Sequence, residues 1–307
     1  MNSLLMISGG SLNTNKILSM SLINKIIKNA LIAFTLGTAV TGCQKIEHPP
    51  LGDYPKDATQ PGGPLKFYAA YDGINADSIR AQFASTDSAT SYVQGVSGQA
   101  IQFNPVTDGL GGTSVYSFLI YPSANDFATT AQSFTFSFWL NIPLSKKDNI
   151  DPDAILALAS TSNFWGEITV FADHSTGGNS DSMDFKIHFA NGSGDNWDFA
   201  NYTGANRLPH MYDGNWHQIV FTYDAPSLTG TLYQDGAQFD QKTNETIAFD
   251  GNASNLVVAG FEQAANIQGS YQDNGWMAGF PGAIDQLKFY SVALSATDVA
   301  TNYANKQ

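Results

Sequence analysis

The chain has 307 residues, with 27 Asp and Glu against 14 Lys and Arg, a formal net charge of −13 and one cysteine. This balance argues against nucleic-acid binding, which needs basic patches to meet phosphates. With Arg80 and Arg207 as the two guanidinium forks, it also argues against a site for strongly anionic sugars. A lone cysteine excludes an internal disulfide, so an exported domain must hold itself by its core and by any bound metal, and this length permits a sufficient core.

Residues 1–42 read as an export signal, with Met20 an alternative start. Lys25 and Lys28 precede an apolar run over 30–40 that is too short to span a bilayer, and small residues then lead to Cys43. Val40, Thr41, Gly42 and Cys43 resemble a bacterial lipobox, which implies cleavage before Cys43 and a lipid on its thiol. Gln44 is unlike the Asp that retains some lipoproteins in the inner membrane, which points to an outer-membrane anchor. Residues 43–64, rich in Pro and Gly and without periodicity, form a semi-extended spacer before a domain over 65–307.

From Leu65 onward, short β-branched and aromatic runs alternate with Gly, Asn, Asp and Ser clusters. The pattern predicts strands near 65–71, 98–104, 114–121, 133–142, 154–160, 167–173, 184–190, 196–202, 216–224, 230–234, 237–241, 255–260 and 283–290. In SFTFSFWLNI, Phe134, Phe136, Phe138 and Leu140 share a face; in WHQIVFTYD, His217, Ile219, Phe221 and Tyr223 share one. Asp235-Gly236 supplies a two-residue hairpin turn. Ser295, with Asp298 three residues on, caps a short C-terminal helix. So many strands imply an all-β antiparallel sandwich of two packed sheets.

Read as an unbroken strand, 283–289 poses a problem. Strict alternation puts Asp285 on the same face as Ala283, Leu287 and Phe289, where an unpaired carboxylate costs several kcal/mol. A partner is required.

The segments YDGINADS, VSGQAIQF, SFTFSFWLN, DGNWHQIVFTYD, GTLYQDG and GAIDQLKFYSVALSATDV, in this order, resemble the laminin-G-like branch of the concanavalin A-like lectin and glucanase fold. The resemblance covers nearly everything from Leu65 to the C-terminus and implies a curved jelly roll whose first and last strands are neighbours. For many exported relatives it further implies a calcium ion held by an Asp of the last strand and the loop after the first. Here those positions are Asp285, Asp72 and Asp77, with Gly73 letting the backbone turn. The alternative is that Asp285 accepts backbone hydrogen bonds or pairs with Lys66.

Glucanases of this fold carry two Glu a few residues apart on one strand. Here Glu stands at 47, 167, 245 and 262, which gives no such pair. Asp195 and Asp198, at offset three, face opposite sides of a strand. Lyases of the fold resemble an Arg and Glu strand with a Q-I-H motif, of which Lys186 to His188 is a faint echo. His174, His188, His210 and His217 lack tight metal spacing, and His217 reads as a hydrogen-bonded core residue. No active site emerges, so a hydrolase or lyase is the weaker reading.

Recognition remains. Sugar rings dock on exposed Trp and Tyr while Asn and Asp read hydroxyls, and the loops offer Trp165, Trp197, Tyr202, Tyr212, Tyr271 and Trp276. Trp139 and Trp216, in the strands, read as packing residues. The sequence therefore points to a non-catalytic carbohydrate-binding lipoprotein with structural calcium. The alternative is an adhesive module that binds other surface proteins, since this fold hosts both.

Overall fold

Along β8 (Phe134–Asn141), Phe134, Phe136, Phe138 and Leu140 enter one interior, as the alternation requires. The computed structural model describes residues 63–86, 89–104, 117–146, 152–173, 181–191, 194–196, 207–262 and 278–307, all within the unit Pro61–Gln307.

Two sheets face each other. The first runs β15 (Ala237–Thr243), β14 (Thr229–Gln234), β13 (Trp216–Asp224), β8, β18 (Ala283–Tyr290), β6 (Gln99–Phe103) and β5 (Thr90–Gln94), with β1 (Leu65–Ala69) also on β18. The second runs β12 (Gly194–Asn196), β11 (Phe185–Asn191), β10 (Ile168–Ala172), β9 (Asp153–Ser160), β16 (Ala253–Val258), β7 (Leu119–Tyr121) and β4 (Ser85–Thr86), with β17 (Ala278–Gly279) beside β9. Apart from the parallel pairing of β17 with β9, the ladders are antiparallel. β2 (Ala76–Asp77) and β3 (Gln82–Phe83) make a small separate hairpin.

Between the sheets lie aromatic rings. Phe136 sits 5.4 Å from Phe221 and 6.1 Å from Phe289, and Phe67 meets Tyr121 edge-on at 4.9 Å. Burying each such ring stabilises the fold by about 1.5–3 kcal/mol.

The first and last strands pair directly, Phe67 opposite Phe289. The outer side of the first sheet is covered by α2 (Ala296–Ala304), which begins with the expected capping box between Ser295 and Asp298. Its Tyr303 stacks on Trp139 at 5.3 Å, and Val299 packs with Val220 and Tyr233. Gly236 must be glycine there, because a Cβ would approach Tyr303 to 2.8 Å and its φ is +76°. α1 (Phe127–Thr130) is a single turn anchored by buried Phe127.

Most predicted strands form within two residues of their expected ends. The alternation misses β5, whose side chains are half-buried or exposed and so carry no apolar signal. Residues 114–116 and 197–202 of two expected strands lie outside the described residues. Among the described residues, no helix is long and apolar enough to cross a membrane.

Candidate functional site

At Asp285 the register departs from simple alternation. Asp285 pairs with Trp139, yet the next outward pair is Lys288 with Ser137, so one extra residue lies between. That residue is Gln286, with φ +52°, a bulge that flips the strand's phase. Leu287 and Phe289 therefore point inward while Asp285 lies on the outer side with Trp139, correcting the expectation that all three share a face.

Asp285 is nonetheless fully buried. Its Oδ2 accepts from the amides of Val96 at 2.8 Å and Ser97 at 3.3 Å, while its buried Oδ1 meets no donor. Burial pushes its carboxyl up to about 7, opposed by those amides and helped by the charge of Asp72. Asp72 grips the same turn from the other end, accepting from Gln99 N at 2.7 Å. Lys66 is not the partner; its Nζ lies 3.1 Å from Asp126. Lys288 feels the charge of Asp285, which opposes the burial that lowers it to about 8, and its Nζ sits 4.8 Å over the Tyr68 ring.

Asp77 stands apart in function. Its Oδ1 accepts from Tyr68 N and Ile79 N, and its Oδ2 from Arg80 N and Asn125 Nδ2, at 2.8 to 3.1 Å. Four donors leave it no oxygen for a cation, so the expected set of three calcium ligands is reduced at Asp77. The donor chemistry of Asp285, with its open Oδ1, and of Asp72 still suits a hard cation.

A second constellation gathers at one end of the second sheet. The 160–167 turn is built by Asn163, whose Oδ1 accepts from Trp165 N at 2.8 Å, and by Gly166, whose N donates to Asn163 O at 3.2 Å. Gly166 has φ +79°, and a Cβ on it would come within 2.6 Å of Leu158 O and 3.1 Å of Glu262 Oε2. This turn presents Phe164, 38 % exposed, and half-buried Trp165, their rings 5.2 Å apart and edge-to-face. Trp165 rests on Ala154, Phe171 and Phe261 and lies 6.3 Å from the His188 ring.

Beside it sit three carboxyl groups. Glu167 Oε2 accepts from Asp250 N at 3.2 Å, while its Oε1 is buried without a donor. Asp250 accepts from Ser162 Oγ at 3.0 Å and Asn252 N at 2.8 Å, and Glu262 accepts from Ser160 N at 3.0 Å. Burial raises Glu167 to about 8, with Asp250 adding to the rise. Glu262 also reaches about 8 through burial, with the charge of Glu167 contributing. Hydrogen bonding, first from Glu167, holds Asp250 well below the usual carboxylate range. No Glu pair shares a strand, as the sequence implies, but the fold brings Glu167, Asp250 and Glu262 together from three separate segments.

Of the six expected ligand-contacting aromatics, Trp165 alone is described and accessible. Tyr212 is 5 % exposed and belongs to the core, a correction that follows from its position among Met211, Leu208 and the interior of the sandwich. Trp197, Tyr202, Tyr271, Trp276 and Cys43 lie outside the described residues. His217 is hydrogen-bonded as expected, held by Asp235 at 2.8 Å and Asp213 at 3.1 Å.

A family model, Laminin_G_3, described as the concanavalin A-like lectin/glucanases superfamily, matches residues 111–300. No curated protein matches the chain in sequence. Among solved structures, the binding domain of Paraclostridial Mosquitocidal Protein 1 is similar at 15 % identity and TM-score 0.53, covering 79 % of this chain and 52 % of that one. Domain 4 of AbnA, a GH43 extracellular arabinanase from Geobacillus stearothermophilus, solved in complex with arabinotriose, is similar at 16 % identity and TM-score 0.50, covering 77 % and 97 %. The binding domain of botulinum neurotoxin DC in complex with rat synaptotagmin II is similar at 10 % identity and TM-score 0.52, covering 80 % and 52 %. The chain thus spans about half the length of the two toxin domains.

Proposed function

Because the chain belongs to the concanavalin A-like lectin/glucanase superfamily, we propose that it is a non-catalytic binding module that docks carbohydrate on the Phe164 and Trp165 rim. The observation that carries this reading is the accessible aromatic pair set beside hydrogen-bonding carboxyl and amide groups, the combination that sugar rings require. Arabinotriose bound to the similar arabinanase domain supports a sugar; the neurotoxin complex with synaptotagmin supports a protein partner as the second reading. Sugar is favoured by the polar groups of the same turn, Ser162 with Asp250 and Asn163, beside the Trp165 ring.

The carboxyl pair of Glu167 and Asp250 does not argue for hydrolysis. A general acid must reach the scissile oxygen, and the Glu167 side chain is fully buried and turned onto Asp250. The reading further includes a lipid anchor at Cys43 in the outer membrane and a structural calcium ion at Asp285 and Asp72, which would tie the last strand to the turn before β6.

A glycan array with the purified domain tests the proposal. Wild type should retain one class of intact glycans, and Trp165→Ala should lose at least about tenfold in affinity, as expected for a stacking aromatic. Shortened glycans, or binding unaffected by Trp165→Ala, would overturn it.

A further inference from the structure

Lys288 is a buried cation that the fold leaves without an acid. It stands on the outer face of the first sheet, opposite Tyr68 of β1 and Ser137 of β8, and is 6 % exposed. Half-buried cations elsewhere have carboxylates: Lys66 and Arg80 share Asp126, Lys186 meets Asp173, and Arg207 meets Asp184. Lys288 has neither a carboxylate nor a hydrogen-bond acceptor at its ammonium among the described residues, and Asp285 turns its Oδ2 onto the amides of Val96 and Ser97 instead. The ring of Tyr68, 4.8 Å from Nζ, attracts the charge but engages the three N–H donors in no hydrogen bond. A desolvated ammonium in that condition is costly. Burial lowers it to about 8, which leaves it charged at pH 7. The exposure that Lys288 keeps includes its Nζ, so an acceptor can reach it from solvent.

The neighbours of Lys288 add donors and rings. Gln286, placed by the bulge, accepts the Tyr68 hydroxyl through Oε1 at 2.7 Å, which leaves its Nε2 hydrogens without an acceptor among the described residues. The hydroxyl of Ser137, directly opposite Lys288, is uncommitted in the same sense. Half-buried Tyr290 follows two positions on and shares the outer face, close enough to Tyr68 to feel its charge. An ammonium, an amide and a hydroxyl without acceptors call for an anion. A dianionic phosphate is disfavoured, because the charge of Asp285 already acts at Lys288 and no guanidinium fork stands there. A single carboxylate suits one ammonium, and the two phenol rings with their polar neighbours suit the pyranose that carries it.

We propose that Lys288, between Tyr68 and Tyr290, is the floor of a second carbohydrate site, which takes a sugar bearing one carboxylate. The ammonium receives the carboxylate with help from Gln286 Nε2 and Ser137 Oγ, and a tyrosine ring receives the sugar. The scarcity of guanidinium groups argues against densely charged sugars, and the site accordingly offers a single cation. It belongs to the first sheet, whereas the Trp165 rim belongs to the second, so either site can fail without the other.

The test is titration calorimetry at pH 7 with glucuronyl-xylotriose, galacturonyl-rhamnose and sialyllactose, each beside its methyl ester, and with the blocked peptide acetyl-Gly-Glu-Gly-amide. Wild type is compared with Lys288→Met, which keeps an unbranched apolar stem and removes a desolvated charge, so the variant should fold; a thermal melt verifies this. At least one acid should bind wild type about tenfold or more tightly than its ester, as expected for a charge-assisted contact, and the preference should shrink in high salt. Lys288→Met should erase that preference while leaving the retention of neutral glycans on the array unchanged. If no acid binds, water alone serves the ammonium and the site is overturned. Equal affinity for acid and ester, or a preference that survives Lys288→Met, also overturns it. A peptide bound as tightly as the best sugar overturns the sugar assignment.

Discussion

Replacing His217 by Gln should remove a pH-dependent clasp at the start of β13. The imidazole lies between two carboxylates, Nδ1 2.8 Å from Asp235 Oδ2 and Nε2 3.1 Å from Asp213 Oδ1, and both nitrogens can donate only when the ring is protonated. Asp235 first, and Asp213 after it, raise the ring's affinity for a proton, while burial opposes them. Because the folded value lies above the unfolded one of about 6.5, the stabilisation is fully present below that pH. It is lost as pH rises through the raised folded value.

Two charge-assisted bonds would contribute about 1.5–3 kcal/mol each in a dry site. Here the carboxylate side chains are 30 % and 27 % exposed, which reduces the pair to roughly 2 kcal/mol in total. For a domain of this size that is about 4–8 °C in Tm. Melts of wild type and His217→Gln from pH 5.5 to 9 should therefore show a gap that is widest at pH 5.5 and closes by pH 9. Other raised groups, including Glu167, Glu262 and Asp285, add their own pH dependence, but they are common to both proteins and cancel in the difference. Parallel curves, or a variant as stable as wild type at pH 5.5, would refute the clasp.

Two further outcomes follow from the other sites. With calcium in hundredfold excess over its Kd, wild-type stability should rise by about 2.7 kcal/mol, and Asp285→Asn should lose most of that response; a wild-type melt indifferent to both calcium and chelator would leave Asp285 held by amides alone. If Cys43 carries the proposed lipid, Cys43→Ser should move the full-length protein from the membrane to the soluble fraction; a variant still in the membrane pellet removes the lipobox reading.

Much of the sandwich was legible because its signals are local. The Phe134 to Leu140 alternation, the Asp235-Gly236 turn and the Ser295 cap each depend on residues within a few positions of one another. Asp77 also carried a local signal, an Asp accepting from amides two and three residues on, but the family resemblance implied a metal ligand there instead. The carboxyl cluster was not legible, since Asp250 and Glu262 come from segments far along the chain from Glu167 and meet it only once β9, β10 and β16 pair. Glu167 does stand directly before the apolar strand β10, where a carboxylate needs a reason.

The phase flip at Gln286 has a consequence for how this chain tolerates change in length. One inserted residue lets a single strand serve two masters: its first half meets the Val96 turn, and its second half keeps Leu287 and Phe289 in the aromatic interior. Deleting Gln286 would restore an ordinary pleat, forcing either Asp285 among the phenylalanines or Phe289 out of them. Substitutions at 286 should be milder than removal, with Asn or Gly mildest, because the bulge needs a residue that tolerates φ +52°, and the Tyr68 hydroxyl bond to Gln286 Oε1 is a smaller, separate loss.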